Sequence, residues 1–201
     1  MKLLCITFLL LFSGLSQAQP FIGSNHAAKI IDEALKRKDL KWLPFPMPYE
    51  VERSAQSKDA RFLAALVDHD LLVRKKETKM VTVEVNGAKR RKVQVGWVYD
   101  YPGAQAGAAG QTDEGFYYGY GRLKNIMELS RPYLIGDYYY VEAYIQWYVD
   151  DLQHWVQDAA FDGARTLRRS RESFAKPFEK RVYLQYDGDS WAFWDGKPGQ
   201  L

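Results

Sequence analysis

Residues 137–149 read DYYYVEAYIQWYV. Side chains alternate across a strand, so Val141, Ala143, Ile145, Trp147 and Val149 fall on one side of this stretch, and Tyr138, Tyr140, Glu142, Tyr144, Gln146 and Tyr148 fall on the other. A helix would mix the two sets around its circumference. Fully burying a Val, Ile or Trp side chain is worth roughly 1.5 to 3 kcal/mol, so four of them contribute on the order of 6 to 12 kcal/mol, an upper bound because unfolded chains already hide some apolar surface. The stretch predicts the organising strand of a sheet with one apolar side. On the other side each tyrosine offers a ring and a hydroxyl that wants a partner.

The flanking sequence supplies the neighbours of that strand. Phe116 to Leu129, FYYGYGRLKNIMEL, reads as a strand in which Gly119 and Gly121 mark a bulge or a close approach to the backbone. A turn over Pro132 to Gly136 pairs it antiparallel with the central strand and carries Arg122 and Lys124 towards Glu142. After a loop at Asp150 and Asp151, a weaker pattern gives a helix with Ala160, Phe161, Ala164 and Leu167 inward. Lys180 to Tyr186 and Ser190 to Trp194 then form two strands around Asp187, Gly188 and Asp189.

The first half of the chain reads differently. Ser24 to Lys38 has Ala27, Ile30, Ile31, Ala34 and Leu35 at helical spacing, Ser24 or Asn25 as its cap, and Lys36, Arg37 and Lys38 where the helix dipole favours cations. Pro44, Pro46 and Pro48 force an extended connector. A second helix over Lys58 to His69 carries Phe62, Leu63, Leu66 and Val67 on one stripe, and Leu71, Leu72 and Val73 continue as a short strand. MVTVEV and AKRRKVQVGWVYDY flank Asn86 and Gly87, the pair best suited to a type I′ hairpin turn.

The expected fold class is α+β: N-terminal helices plus a β-hairpin, then an antiparallel β-meander of about four strands with one helix. Pro102 to Gly115, PGAQAGAAGQTDEG, has the composition of a flexible connector. It divides a helical and hairpin module over 19–101 from a sheet module over 116–201; an ordered loop inside one domain is the alternative.

Met1 to Ala18, MKLLCITFLLLFSGLSQA, has a lysine, an apolar run too short to span a bilayer, and small residues at Ser16 and Ala18, the pattern of a signal peptide cleaved near Ala18. Cys5 lies inside that run rather than at the cleavage point, which argues against a lipid anchor. It is the one cysteine in the chain, so the exported chain holds no disulfide and no thiol nucleophile. No Asn begins an N-x-Ser/Thr acceptor, and both absences favour a bacterial periplasm.

Charge is laid out in blocks. Arg74 to Lys92 holds eight basic residues against Glu77 and Glu84; Asp137 to Asp162 holds six acids and no Lys or Arg; Arg165 to Arg181 holds seven basic residues against Glu172 and Glu179. Blocks of opposite sign are either intramolecular partners or separate docking surfaces. A helix, a short strand and a basic hairpin over about Lys58 to Tyr101 together resemble, on pattern alone, the wing of a winged-helix domain. The resemblance implies that the tip, Lys89, Arg90, Arg91 and Lys92, touches phosphates. Export argues against nucleic acid and leaves anionic lipid or lipopolysaccharide.

The residues of chemistry are sparse. His26, His69 and His154 are scattered, Asp68, His69 and Asp70 are adjacent and so do not face a common point, and only Asp150, Asp151 and His154 would converge if helical. There is no G-x-S-x-G elbow, no H-E-x-x-H pair and no cofactor motif. The reading that remains is an exported, non-catalytic binding or interaction protein that presents Tyr138, Tyr140, Glu142, Tyr144, Gln146 and Tyr148 to a protein, peptide or glycan of the cell envelope. The alternative is a secreted hydrolase of wall polysaccharide or peptide, with Glu142 and either Asp137 or Glu128 as its acids. Whether the tyrosine side is open, or covered by a helix of the first segment or by the chain after Asp158, decides between recognition and core.

Overall fold

A computed structural model describes residues 19–52, 57–85, 87–103 and 115–199. The predicted signal peptide, Asn86 and most of the predicted connector lie outside the described residues. Among them, no helix is long and apolar enough to cross a membrane.

The fold is mixed, with helices and antiparallel strands in two sheets. The larger sheet contains β1 (Asp39–Trp42), β5 (Phe116–Leu129), β6 (Tyr133–Ile135), β7 (Tyr138–Asp150), β8 (Phe178–Tyr186) and β9 (Trp191–Trp194). Its order is β1-β5-β7-β8-β9, with β6 also paired to β7, so the last four strands form the expected meander around the 137–149 stretch. The smaller sheet has the order β2-β4-β3, from β2 (Tyr49–Glu52), β3 (Val73–Val85) and β4 (Ala88–Asp100).

Alternation in β7 separates the two sides of the large sheet as the sequence predicts. Val141, Ala143 and Ile145 are fully buried, and with Val182, Leu184 and Trp191 they pack under α1 (Ser24–Lys36), whose buried stripe is Ala27, Ile31 and Leu35. The helix begins on Gly23 with no side-chain cap, in place of the expected Ser24 or Asn25, and ends two residues early because Asp39 already pairs with β5. Asp32 projects from α1 to the edge of β5, where its Oδ1 accepts from the Leu123 amide at 2.9 Å.

A second cluster sits at the other end of the sheet. Trp42 of β1 lies 5.6 Å from Phe62 and 5.6 Å from Phe161, edge-on to both, and within 6.3 Å of Phe116 and 6.1 Å of Trp155. Phe62 belongs to α2 (Lys58–Asp68), capped by Ser57 Oγ accepting from the Ala60 amide at 3.1 Å. This cluster draws on Val51, Leu66 and Tyr99 from one side of the 104–114 segment and on Phe116, Val149, Trp155, Phe161 and Leu167 from the other.

Two local expectations need correction. Leu71 and Leu72 are not strand: their amides return to the Leu66 carbonyl at 2.9 and 3.2 Å, closing the helix end after Asp70 turns left-handed, and Leu72 is buried there. The chain after Asp150 is not one helix but two 3₁₀ turns, His154–Gln157 and Ala159–Gly163, followed by α3 (Arg165–Arg171). Asp158 breaks the run by capping the second turn, its Oδ1 accepting from the Ala160 amide at 2.8 Å, while Phe161, Ala164 and Leu167 point inward as expected. The proline connector at Pro44, Pro46 and Pro48 lies between two short strands that carry no sequence period, Asp39–Trp42 paired with β5 and Tyr49–Glu52 paired with β4.

Gly119 has φ +148°, and a Cβ there would meet Asp150 O at 2.6 Å, so only glycine lets β7 close on this point of β5.

Candidate functional site

The register of β7 against β8 decides what the tyrosine side can do. Tyr140 stands opposite Gln185, Glu142 opposite Tyr183, Tyr144 opposite Arg181 and Gln146 opposite Glu179. Antiparallel neighbours bring their side chains within bonding reach, and here they interlock. Arg181 Nη1 donates to Glu142 Oε1, and its guanidinium lies 5.2 Å over the Tyr144 ring. Tyr144 donates its hydroxyl to Glu179 Oε2, and Gln146 Nε2 donates to Glu179 Oε1 at 2.9 Å.

These contacts shift the titrating groups in consistent directions. The hydrogen bonds from Tyr144 and then Gln146 hold the Glu179 carboxyl below its ordinary range, and the bond to Glu179 holds the Tyr144 hydroxyl above its own. Burial first, and Glu142 second, raise Tyr183. The centre of the face is therefore tied together by its own side chains.

The six predicted residues do not share one environment. Glu142, Tyr144, Gln146 and Tyr148 are half-buried and face away from the α1 side, and Tyr138 is exposed. Tyr140 is buried: Trp194 packs edge-on against it at 6.0 Å, Tyr133 lies 6.4 Å away, and its hydroxyl accepts from Gln185 Nε2 at 2.8 Å. Tyr148 meets Phe174 edge-on at 5.2 Å, and Phe174 is itself 65% exposed, with Lys124 5.0 Å over its ring. The face is thus an open middle between two aromatic ends.

Arg122 and Lys124 do not reach Glu142. Arg122 stands opposite Tyr148 and bonds Asp32 at 2.9 Å and Asp150 at 3.2 Å, while Lys124 donates to the Phe174 carbonyl at 2.7 Å. Arg122 pairs six residues along β7 from Glu142, and the register shift between Leu123 and Asn125 leaves Lys124 without a partner on β7. Glu179, Arg181, Tyr183, Gln185, Phe174 and Trp194 were absent from the predicted set. Alternation over 178–186 marks Glu179, Arg181, Tyr183 and Gln185 as one side of a strand, but no pattern within one strand tells which residues of the next it will face.

His154 sits apart from Asp150: its ring is 6.1 Å from that of His69, and His69 Nε2 lies 3.0 Å from Asp158 Oδ2. Among the described residues, no group of three or more His, Cys, Asp or Glu side chains converges as a metal site would. Lys89, Arg90, Arg91 and Lys92 are all exposed on β4, far along the hairpin from the core. No family model, curated protein or solved structure matches the chain.

Proposed function

We propose that the protein is an exported, non-catalytic binding protein of the bacterial cell envelope that holds a protein, peptide or glycan partner on the face of Tyr138, Glu142, Tyr144, Gln146 and Tyr148. The observation that carries this reading is the bonded row Glu142–Arg181, Tyr144–Glu179 and Gln146–Glu179, half-open to solvent on the side of β7 opposite α1. A row already fixed by its own bonds loses little freedom on binding, and tyrosine rings supply broad contact with few torsions to freeze. The leader-like Met1 to Ala18 is the support for export. The winged-helix resemblance is supported only by the succession of α2 and the β3–β4 hairpin.

The hydrolase reading asks Glu142 to exchange protons with a substrate. Its carboxylate is instead engaged by Arg181, and no contact favours that reading. The test is retention of cell-envelope components on immobilised protein and on its Tyr144→Ala variant. Loss of retention with an unchanged melting midpoint is expected. Equal retention by both would overturn the proposal.

A further inference from the structure

The β3–β4 hairpin has thirteen cross-strand pairs, from Val73↔Asp100 to Val85↔Ala88. Among the described residues, the third strand, β2, accompanies it from Tyr49↔Tyr99 to Glu52↔Gly96. From Thr78↔Val95 outward, β3 and β4 are the only strands of this sheet among the described residues, and they form a ribbon that extends about 25 Å at roughly 3.3 Å per residue. Such a ribbon adds little to a core: Thr78, Lys79, Met80, Thr82, Glu84 and the stretch 87–93 are exposed, while Val81 and Val83 are half-buried.

The charge blocks explain why this ribbon stands out. The acidic stretch 137–162 is matched by the basic stretch 165–181: Arg181 takes Glu142, and Arg171 takes Asp162 at 2.6 Å. On the ribbon, Lys79 is tied to Glu50 at 2.6 Å and lies 3.5 Å from Glu77. Further out, Lys89, Arg90, Arg91 and Lys92 have no ion-pair partner among the described residues, and Glu84, opposite Lys89, is the one acid described near them. Side chains alternate, so Lys89 and Arg91 project from one side and Arg90 and Lys92 from the other. Apolar residues sit directly behind this cationic end: Met80 and Val93 face each other across the ribbon, 63% and 55% exposed.

We propose that the end of this ribbon docks on an anionic phospholipid bilayer. Lying on its Val93 side, the ribbon sets Lys89 and Arg91 against lipid phosphates and lets Met80 and Val93 enter the headgroup boundary, while Arg90 and Lys92, on the other side, add to the attraction at longer range. Phosphate attraction alone would suit nucleic acid equally well, but paired exposed Met and Val add nothing to a phosphate backbone and do add apolar burial in a bilayer. The ribbon stands on a different sheet from the tyrosine face, so membrane docking and partner capture are separable.

The test is co-sedimentation with vesicles of phosphatidylethanolamine and phosphatidylglycerol, and with vesicles of phosphatidylcholine alone, between about 50 and 500 mM salt. Each basic residue near an anionic surface contributes roughly a fivefold gain in partitioning, so with Lys89 and Arg91 in contact the quadruple variant K89Q/R90Q/R91Q/K92Q should bind the phosphatidylglycerol vesicles at least about twentyfold more weakly. Wild-type binding should fall steeply with salt. M80S/V93S should weaken it several-fold with the salt dependence kept, and Tyr144→Ala should leave it unchanged. Equal binding to neutral vesicles, no binding at low salt, or full binding by the quadruple variant would overturn the inference. Tighter binding to a DNA duplex than to the anionic vesicles at equal salt would also overturn it, and would assign the ribbon to nucleic acid.

Discussion

Tyr144 and Glu179 show at the scale of single residues how the face is held. The raised Tyr144 hydroxyl, ordinarily at 10.0, keeps its proton and its bond below that pH and loses both as pH climbs through the raised value. Glu179, ordinarily at 4.5, keeps its charge above that pH and loses the bond as pH falls through the lowered value. The row is intact across the interval between, and Glu179→Gln should bring the Tyr144 titration, read from its Cζ NMR signal, back towards 10.0. Asp158 acts in the same sense. The Ala160 amide first, and His69 second, lower its carboxyl, so its contribution is present above the ordinary carboxylate range and fades as pH falls through the lowered value. Asp158→Ala should cost about 1 kcal/mol near neutral pH by loss of a helix cap, and denaturant titrations should show that gap shrinking well below about pH 4.

At the scale of elements, length and alternation governed what could be read. The tyrosine strand, its partners β5 and β8 and both early helices are long enough for their periods to show, and the turn at Asp187, Gly188 and Asp189 marks the four-residue β9. The Asn-Gly hairpin announces itself by turn chemistry, and Gly87 takes the positive φ, +77°, that such a turn needs. Asp39–Trp42 and Tyr133–Ile135 are four and three residues long and carry no period, so pairing with neighbours creates them as strands. Trp42 is the costliest of those omissions, because four aromatic rings gather on it. Trp42→Ala should destabilise the protein by about 3 to 5 kcal/mol, measured by urea unfolding. A loss below about 1 kcal/mol would mean that the cluster does not depend on it.

The molecule as a whole was the least legible scale. Charge blocks in sequence suggested internal partners or docking surfaces: 165–181 pairs with 137–162, and the cations at the end of the hairpin have no ion-pair partner among the described residues. Which residues meet across β7 and β8 depended on register, set by core packing on the far side of the sheet, and a single strand does not display that. The aromatic cluster takes residues from both sides of 104–114, so unfolding followed by tryptophan fluorescence and by circular dichroism should trace one coincident transition; two separated midpoints would mean that the segments fold independently. The central claim is that the middle of the tyrosine face is open and used. Acetylation of tyrosine hydroxyls, mapped by mass spectrometry with and without cell-envelope material, measures this most directly. Tyr138 and Tyr148 should react readily in the free protein, Tyr144 more slowly because Glu179 holds its hydroxyl, and Tyr140 should resist, with envelope material protecting Tyr138, Tyr144 and Tyr148. Protection of all four in the free protein, or no change when envelope material is added, would contradict it.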